Sequence, residues 1–538
     1  MAVDDQGLEH DNFDDKTFLL SDDEISDLDC NDEHFSLMSS IDDIVENVKI
    51  GLFHYLIVTA CGLCYGGYSS YYQAIGLIII TACDLNINAA NKGWLSTSVM
   101  IGIIVGTFLF GGLADIYGRR KLILIALLIN LISMLASVLA YNYIMLATMA
   151  AFIGISYGAV FAIVHPYAIE FFPRRYRGLA GTCASGFCIV LSIYSCLIAL
   201  AILPHPFHLP FGLIYFNNWR LYLFISMIPT LVGFCIMIFM PNSLRFVLMK
   251  KDKRNVLVVL EKIDRINSCY LLCHRSTNQQ YHTLESVINR IDIDNSKLNA
   301  IQHKQDHFIQ HFRTLMKPPW RKRLFLLSIT YFGYLFSDQG FLIWLPTVLS
   351  FYVSGKTCRN GQHHAIYNIT MNTTHSTSMN TLDCYNSQNL MTVIFDLLIG
   401  NVLCIPLTIL CILLIDRVGR KLLYCLIAIM SGLSILLMWL IDSYISTIIL
   451  SCIFVSFTAT AWIPAKTWTS ELFCTEIRST AAGLLNCIGY IGSMLGMTTF
   501  VLLFHVNCTA TFMIFGLLGL VAVIMTFFLP DTTKANIG

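Results

Sequence analysis

Three ionisable side chains stand inside long apolar runs: Asp338, Asp396 and Lys466. Charge within a membrane-length run is costly and marks function by default. Asp338 lies mid-run in Ser337-Asp338-Gln339-Gly340. Asp396 stands near the outer end of its run, where water reaches it, and Lys466 stands five residues before Glu471. Trp462 precedes Lys466 by one helical turn, so the two share a face. The chemistry open to this set is recognition and ion pairing. Lys466 can pair with Asp338 in an empty pathway, and a substrate carboxylate can compete for it. Alternatively the two form a structural pair with no ligand. Tyr68 and Tyr72 share a face of an earlier run. They either hydrogen-bond and stack on a solute or simply pack. Tyr68, Tyr72, Asp338, Gln339, Trp462 and Lys466 make up the candidate substrate pathway. His165-Pro166 marks either a break in its run or a plain kink. No catalytic triad, nucleotide loop or Cys/His metal spacing stands out. The reading is therefore not an enzyme, with no cofactor and no metal, and no nucleic-acid partner.

The elements that must hold these residues are membrane helices. The chain has 538 residues, is 56% hydrophobic and 13% charged, and has a mean hydropathy of +0.65. Apolar runs of about twenty residues, enough to cross a bilayer as helices, recur along it. They do not alternate as barrel strands would, which leaves helices as the spanning structure. The predicted fold is an all-α membrane protein with twelve transmembrane helices in two pseudo-symmetric six-helix bundles. Residues 1–46 hold 16 of the 34 acidic residues and one Lys, and read as a disordered acidic tail. The N-terminal bundle covers 47–246, a linker 247–323, the C-terminal bundle 324–530 with a polar loop at 354–390, and a short tail 531–538. In the linker, Val256, Val259, Leu260 and Ile263 repeat with helical period.

Lys and Arg crowd every second connection, which puts both termini and the linker in the cytoplasm. The sequons at Asn368, Asn372 and Asn507 all fall on the opposite side, where glycosylation occurs. Of the 19 Cys, most lie inside spans. Cys358 and Cys384 can bridge the 354–390 loop. In the acidic tail, Asp15-Lys16-Thr17-Phe18-Leu19-Leu20 fits an acidic dileucine sorting signal, with Asp15, Leu19 and Leu20 read by vesicle-sorting adaptors. A tail that only keeps the chain soluble is the plainer alternative.

Two charged turns repeat. Gly111-Gly112-Leu113-Ala114-Asp115 followed by Gly118-Arg119-Arg120-Lys121 has its counterpart in Asp416-Arg417-Val418-Gly419-Arg420-Lys421. Asp115 to Asp416, Gly118 to Gly419 and Arg119 to Arg420 are each 301 residues apart. Glu170 to Glu471 and Arg177 to Arg478 keep the same offset. One offset in matching spans indicates a duplicated six-helix half, and such halves carry substrate between them near the midplane. Gly111 permits close packing, Gly118 a tight bend, and a carboxylate paired with Arg between helices can latch one conformation.

The turn resembles the signature loop of the major facilitator superfamily. The segments 170–178, 241–246 and 529–532 resemble its sugar-porter and organic-ion branches. Cys83-Asp84-Leu85, Asn91-Lys92-Gly93 and Asn218-Trp219-Arg220 are similar to the synaptic vesicle glycoprotein 2 family, as is the glycosylated loop. That resemblance implies an alternating-access carrier of a small polar organic solute in an intracellular vesicle or the plasma membrane. Its rivals are an organic anion or cation carrier of the same fold, and a vesicle membrane protein that regulates secretion through partners without transport. It also implies that Trp462 lines the central pocket, where the family has an acid in place of Lys466 and a tyrosine pair in place of Asp338-Gln339. The chain departs from the pattern at Asn242, where sugar porters have Glu, and at Ala150, where the superfamily has Arg. It carries no Asp, Glu, Lys or Arg from 51 to 83, so proton coupling through the first half loses its usual acid.

Overall fold

The computed structural model describes residues 50–85, 89–205, 208–211, 214–243, 253–270, 312–318, 320–355, 358, 387–473 and 477–529, with Glu46 and Val247 standing alone. Asp15, Leu19, Leu20, Asn368, Asn372 and Cys384 lie outside the described residues, as do the side chains of Asp115 and Asp416.

The N-terminal bundle consists of α1 (Leu52–Thr81), α2 (Ala89–Tyr117), α3 (Arg119–Val138), α4 (Tyr143–Ile169), α5 (Arg174–Ile202) and a sixth span in two pieces, α6 (Asn218–Ser226) and α7 (Ile228–Phe239). A short antiparallel hairpin, β1 (His208–Phe211) with β2 (Ile214–Asn217), leads into α6. Helix α8 (Lys253–Tyr270) belongs to the linker. The C-terminal bundle opens with a span broken at Ile343–Trp344 into α9 (Trp320–Leu342) and α10 (Leu345–Val353). It continues as α11 (Ser387–Val418), α12 (Arg420–Ile441), α13 (Tyr444–Leu472), α14 (Arg478–Val506) and α15 (Cys508–Thr526). This is the twelve-span, two-bundle architecture.

Local chemistry fixes the ends. Asn142 caps α4 by accepting from Met145 N, and Ser443 caps α13 by accepting from Ser446 N. These caps are again 301 residues apart. Gly118 (φ 92°) and Gly419 (φ 97°) each form the whole joint between two spans, in a conformation that disfavours any residue with a Cβ. Helix α4 passes through Pro166 without a break, so His165-Pro166 marks no gap in the span.

Among the described residues ten helices are long and apolar enough to span a bilayer on hydropathy alone. The spans that fall short are α1 and α9–α10, the first of each bundle. They are more polar because they carry the tyrosines, Asp338 and Gln339. Polarity in a span is tolerated where it faces protein or water rather than lipid.

We name the two ends of the molecule by what they carry. The linker face bears α8, whose Asn267 accepts from Phe53 N at the start of α1. The loop face is where α10 ends and α11 begins. Val256, Val259, Leu260 and Ile263 of α8 are buried against the N-terminal bundle. The apolar core divides accordingly. One cluster, towards the loop face, contains residues of both bundles, such as Ile75 and Val99 with Trp344 and Phe500. Two separate clusters lie towards the linker face, one in each bundle. Shared core at one end and split core at the other describe two bundles leaning together at the loop face.

Candidate transport pathway

The two halves present matching aromatic clusters to the space between them. In α4, Phe161 packs against Tyr65 and Tyr68 of α1, with ring centroids at 5.0 and 4.9 Å. In α13, Trp462 packs against Tyr331 and Tyr334 of α9, at 6.5 and 6.4 Å. Phe161 and Trp462 are 301 residues apart; Tyr65 and Tyr331, like Tyr68 and Tyr334, are 266 apart. Phe161 also stacks at 6.3 Å on Tyr490 of α14, across the bundles. Tyr68 reaches Tyr72 at 5.4 Å, so the expected pair does share a face.

Lys466 sits one turn from Trp462 and is exposed to solvent. Its Nζ donates to the Tyr65 hydroxyl of the other bundle at 2.7 Å. It lies 5.1 Å from the Tyr65 ring centroid and 5.7 Å from that of Trp462, a cation held by two aromatic faces. Asp338 is elsewhere. It is 1% exposed and accepts from Gln339 Nε2 at 2.8 Å, with Tyr72, Tyr334, Tyr424 and Thr458 nearby. The expected Asp338–Lys466 pair does not form. Lys466 lies at the level of Tyr331, seven residues along α9 from Asp338, or about 10 Å at the helical rise. The Gln339 carbonyl, rather than its side chain, crosses to the other bundle and accepts from Tyr72 OH at 2.9 Å. Asp396, expected to be wetted, is 5% exposed, and among the described residues its Oδ2 has no hydrogen-bond partner.

Cross-bundle contacts run from the loop face down to Lys466. Near the loop face a Cβ on Gly93 would touch Val501 at 3.3 Å, and one on Gly76 would meet the Ile343 carbonyl at 3.2 Å. Asn401 donates to Cys196 Sγ at 3.6 Å. Below them come Tyr72–Gln339, Phe161–Tyr490 and Tyr65–Lys466. With the core split beyond that level and Lys466 exposed, the cleft opens towards the linker face.

The repeated turns hold each bundle to itself. Arg119 pairs with Glu170 at 2.5 Å, and Ser243 Oγ donates to the same carboxylate. Arg420 pairs with Glu471 at 3.1 Å. Arg177 Nε donates to the Phe172 carbonyl at 3.1 Å, and Arg478 Nε to the Phe473 carbonyl at 3.4 Å, another pair at one offset. Arg120 donates to the Ile238 carbonyl at 2.5 Å. In each of these contacts the partner lies in the same half as the arginine, so these pairs brace the bundles. Gly111 meets nothing nearer than Ala162 Cβ at 3.8 Å. The close approach expected there occurs at Gly102 and Gly106 instead.

Two loop-face features depart from the sequence reading: the first had no chemical reading there, and the second replaces the expected bridge. Asp84 accepts from Trp219 Nε1 at 2.8 Å and from Arg220 at 3.0 Å, and Arg220 also donates to the carbonyls of Val138 and Ala140. The second is a disulfide. Cys358 is bonded to Cys508, with Cα atoms 5.6 Å apart, and not to Cys384. The bridge ties the end of α10 to the start of α15. Asp442 supports it by accepting from Cys358 N at 3.1 Å and Tyr352 OH at 2.8 Å. Asn507, beside it, is exposed and caps α15 by accepting from Ala510 N. Cys508→Ser is expected to free one thiol, that of Cys358, in mass counting of alkylated cysteines under non-reducing conditions. A gained thiol in Cys384→Ser, with one lost in Cys508→Ser, would restore the pairing within the loop.

The Major Facilitator Superfamily profile matches residues 58–405 and 387–537. Synaptic vesicle glycoprotein 2B of Rattus norvegicus is 24% identical over 515 residues, covering 78% of this chain and 74% of that protein. Synaptic vesicle glycoprotein 2C of Homo sapiens is 23% identical over 560 residues, covering 85% and 76%. The match to human synaptic vesicle glycoprotein 2B spans 45% of that protein's length. Among solved structures, the E. coli xylose transporter in a partially occluded inward-open conformation superposes with a TM-score of 0.63 at 16% identity, covering 90% of this chain and 99% of that one.

Proposed function

The chain belongs to the major facilitator superfamily, and we propose that it carries a small polar organic solute across a membrane by alternating access. The observation that carries this reading is the contact of Lys466 with Tyr65 across the bundles, in a cleft closed at one face and open at the other. Rocking the bundles separates such a contact and moves the opening to the opposite face. Tyr68, Tyr72, Gln339 and Trp462 line the path, and Arg119–Glu170 and Arg420–Glu471 keep each bundle rigid while it rocks. Kinship with the synaptic vesicle glycoproteins favours an intracellular vesicle or the plasma membrane, and the Lys/Arg bias favours cytoplasmic termini. On that orientation glycans sit at Asn368, Asn372 and Asn507, and the Asp15–Leu20 segment meets sorting adaptors.

A second reading has a specific observation behind it. Ala150 stands where the superfamily places Arg, and α1 contains no acid, as in a vesicle protein that works through partners without transport. Liposomes holding the purified protein separate the two. Uptake of labelled sugars and organic anions would be followed with and without a pH gradient. Saturable uptake is expected, and Lys466→Ala should lower it at least about tenfold, the loss of one charge-assisted hydrogen bond with its aromatic contacts. A folded protein that takes up none of them would favour the partner-binding role.

A further inference from the structure

The 301-residue repeat has a consequence for the substrate. Lys466 of α13 has His165 of α4 at its pseudo-symmetric position. The match extends one turn along each helix, since Phe161 corresponds to Trp462. Both basic groups sit under their aromatic cluster on the cleft side, and the two lie within electrostatic reach of each other. His165 packs on α5, where a Cβ on Gly181 would come 2.5 Å from its Nε2. Among the described residues His165 makes no hydrogen bond or ion pair, and Lys466 uses only the Tyr65 hydroxyl, leaving two donors.

Among the described residues no carboxylate neutralises this pair. Facing Lys466 are the hydroxyls of Tyr65 and Tyr331, the thiol of Cys188 on α5, and His165. The carboxylates on the same two helices, Glu170 and Glu471, each lie five residues further along and are held by Arg119 and Arg420. A basic pair without a counter-ion, walled by flat rings, is complementary to an anion with an unsaturated body.

We infer that the cleft binds a flat organic carboxylate between Lys466 and His165, one basic group from each bundle, with Tyr65, Phe161 and Trp462 against its body. This rests on the carrier reading and names its substrate class. Two like charges repel when the site is empty, and an anion between them removes that repulsion. Binding and protonation of His165 therefore reinforce each other, as linkage requires. A substrate bound in this way takes a proton with it.

The test measures binding and not uptake, so it can fail while the carrier reading stands. Purified protein would be melted with benzoate or indole-3-acetate, each against its neutral isostere, benzamide or indole-3-acetamide, at about pH 6 and about pH 8. The carboxylates, ionised at both, are expected to stabilise at about tenfold lower concentration than the amides at the lower pH, with a smaller margin at the higher. His165→Gln should remove the pH dependence and keep part of the preference. Lys466→Gln should remove the preference, and Lys466→Arg should retain it, which separates charge from folding. Equal stabilisation by acid and amide overturns the anion site but leaves a carrier of neutral solutes. A carboxylate preference untouched by either substitution, or no carboxylate binding, overturns the assignment of these residues.

Discussion

Asp84→Ala is expected to lower the melting temperature of the purified protein by roughly 5–10 °C, from a loss of about 3 kcal/mol in the N-terminal bundle. Arg220 is 1% exposed, and its charge was placed there by four contacts: the Asp84 carboxylate, two backbone carbonyls and the face of Trp219, 4.3 Å away. Removing the carboxylate leaves a guanidinium buried among dipoles, and an uncompensated buried charge costs more than the pair itself is worth. The damage spreads because the contacts join three connections: the turn after α1, the α3–α4 turn and the start of α6. Trp219 also loses its acceptor, a further buried donor left unpaired. Asp84 is about a quarter exposed, which holds the figure to the lower end of the range. Removing the charge as well, in Asp84→Ala with Arg220→Met, should cost clearly less than the two single losses added. A single mutant melting within about 1 °C of the natural protein would show that water replaces the carboxylate there.

The charged turns were legible because chemistry and spacing coincide in them. Glycine at positive φ followed by Arg and, fifty-one residues on, Glu is an unusual string, and its repetition at one offset exposed the duplicated half. The same offset reaches Phe161–Trp462 and His165–Lys466, where the residue types differ and the match is invisible to identity. In α1 and α9 the offset is 266, not 301, because the stretch from Tyr334 to Asp416 is 35 residues longer than that from Tyr68 to Asp115. A single register therefore hides the tyrosine pairs. Asp338 and Lys466 were joined in the sequence reading because both are charges in spans, but depth along two helices is set by how the bundles stack. The disulfide failed for a related reason. Cys384 is 26 residues from Cys358, whereas Cys508 is 150 away and becomes adjacent only when α15 packs beside α10. Membership of spans was readable from hydropathy; which spans touch, and at what height, was not.

Gly106→Ala is expected to abolish most of the folded protein, the largest effect of any single methyl group in the N-terminal bundle. Helices α2 and α4 cross with their backbones in contact. A Cβ at Gly102 would lie 2.1 Å from the Ala151 carbonyl oxygen, one at Gly106 2.0 Å from that of Ile155, one at Gly154 2.2 Å from that of Val99, and one at Gly158 2.3 Å from that of Ile103. Each helix thus presents two glycines four residues apart to the other, the arrangement that lets membrane helices approach closely. The obstacle at every position is backbone, which has no rotamer to yield. The helices must separate, and every dispersion contact along the crossing weakens with them. In a bilayer no hydrophobic term offsets that loss, since lipid tails serve an exposed leucine as well as protein does. A cost above about 4 kcal/mol is the scale reserved for such overpacking of a rigid site. Gly111→Ala, with its nearest neighbour at van der Waals distance, is the control that changes the same helix harmlessly. The measurement is the monodisperse fraction on size-exclusion chromatography with a melt of whatever elutes; a Gly106→Ala protein that runs and melts like the control would refute the close crossing. Because α2 also meets α14 across the cleft at Gly93–Val501, the α2–α4 contact joins the interface between the bundles to the rest of its own bundle. A milder change at that interface, Gly93→Ala, whose Cβ would meet only the Val501 side chain at 3.3 Å, should on the proposed carrier reading weaken transport before it weakens the fold.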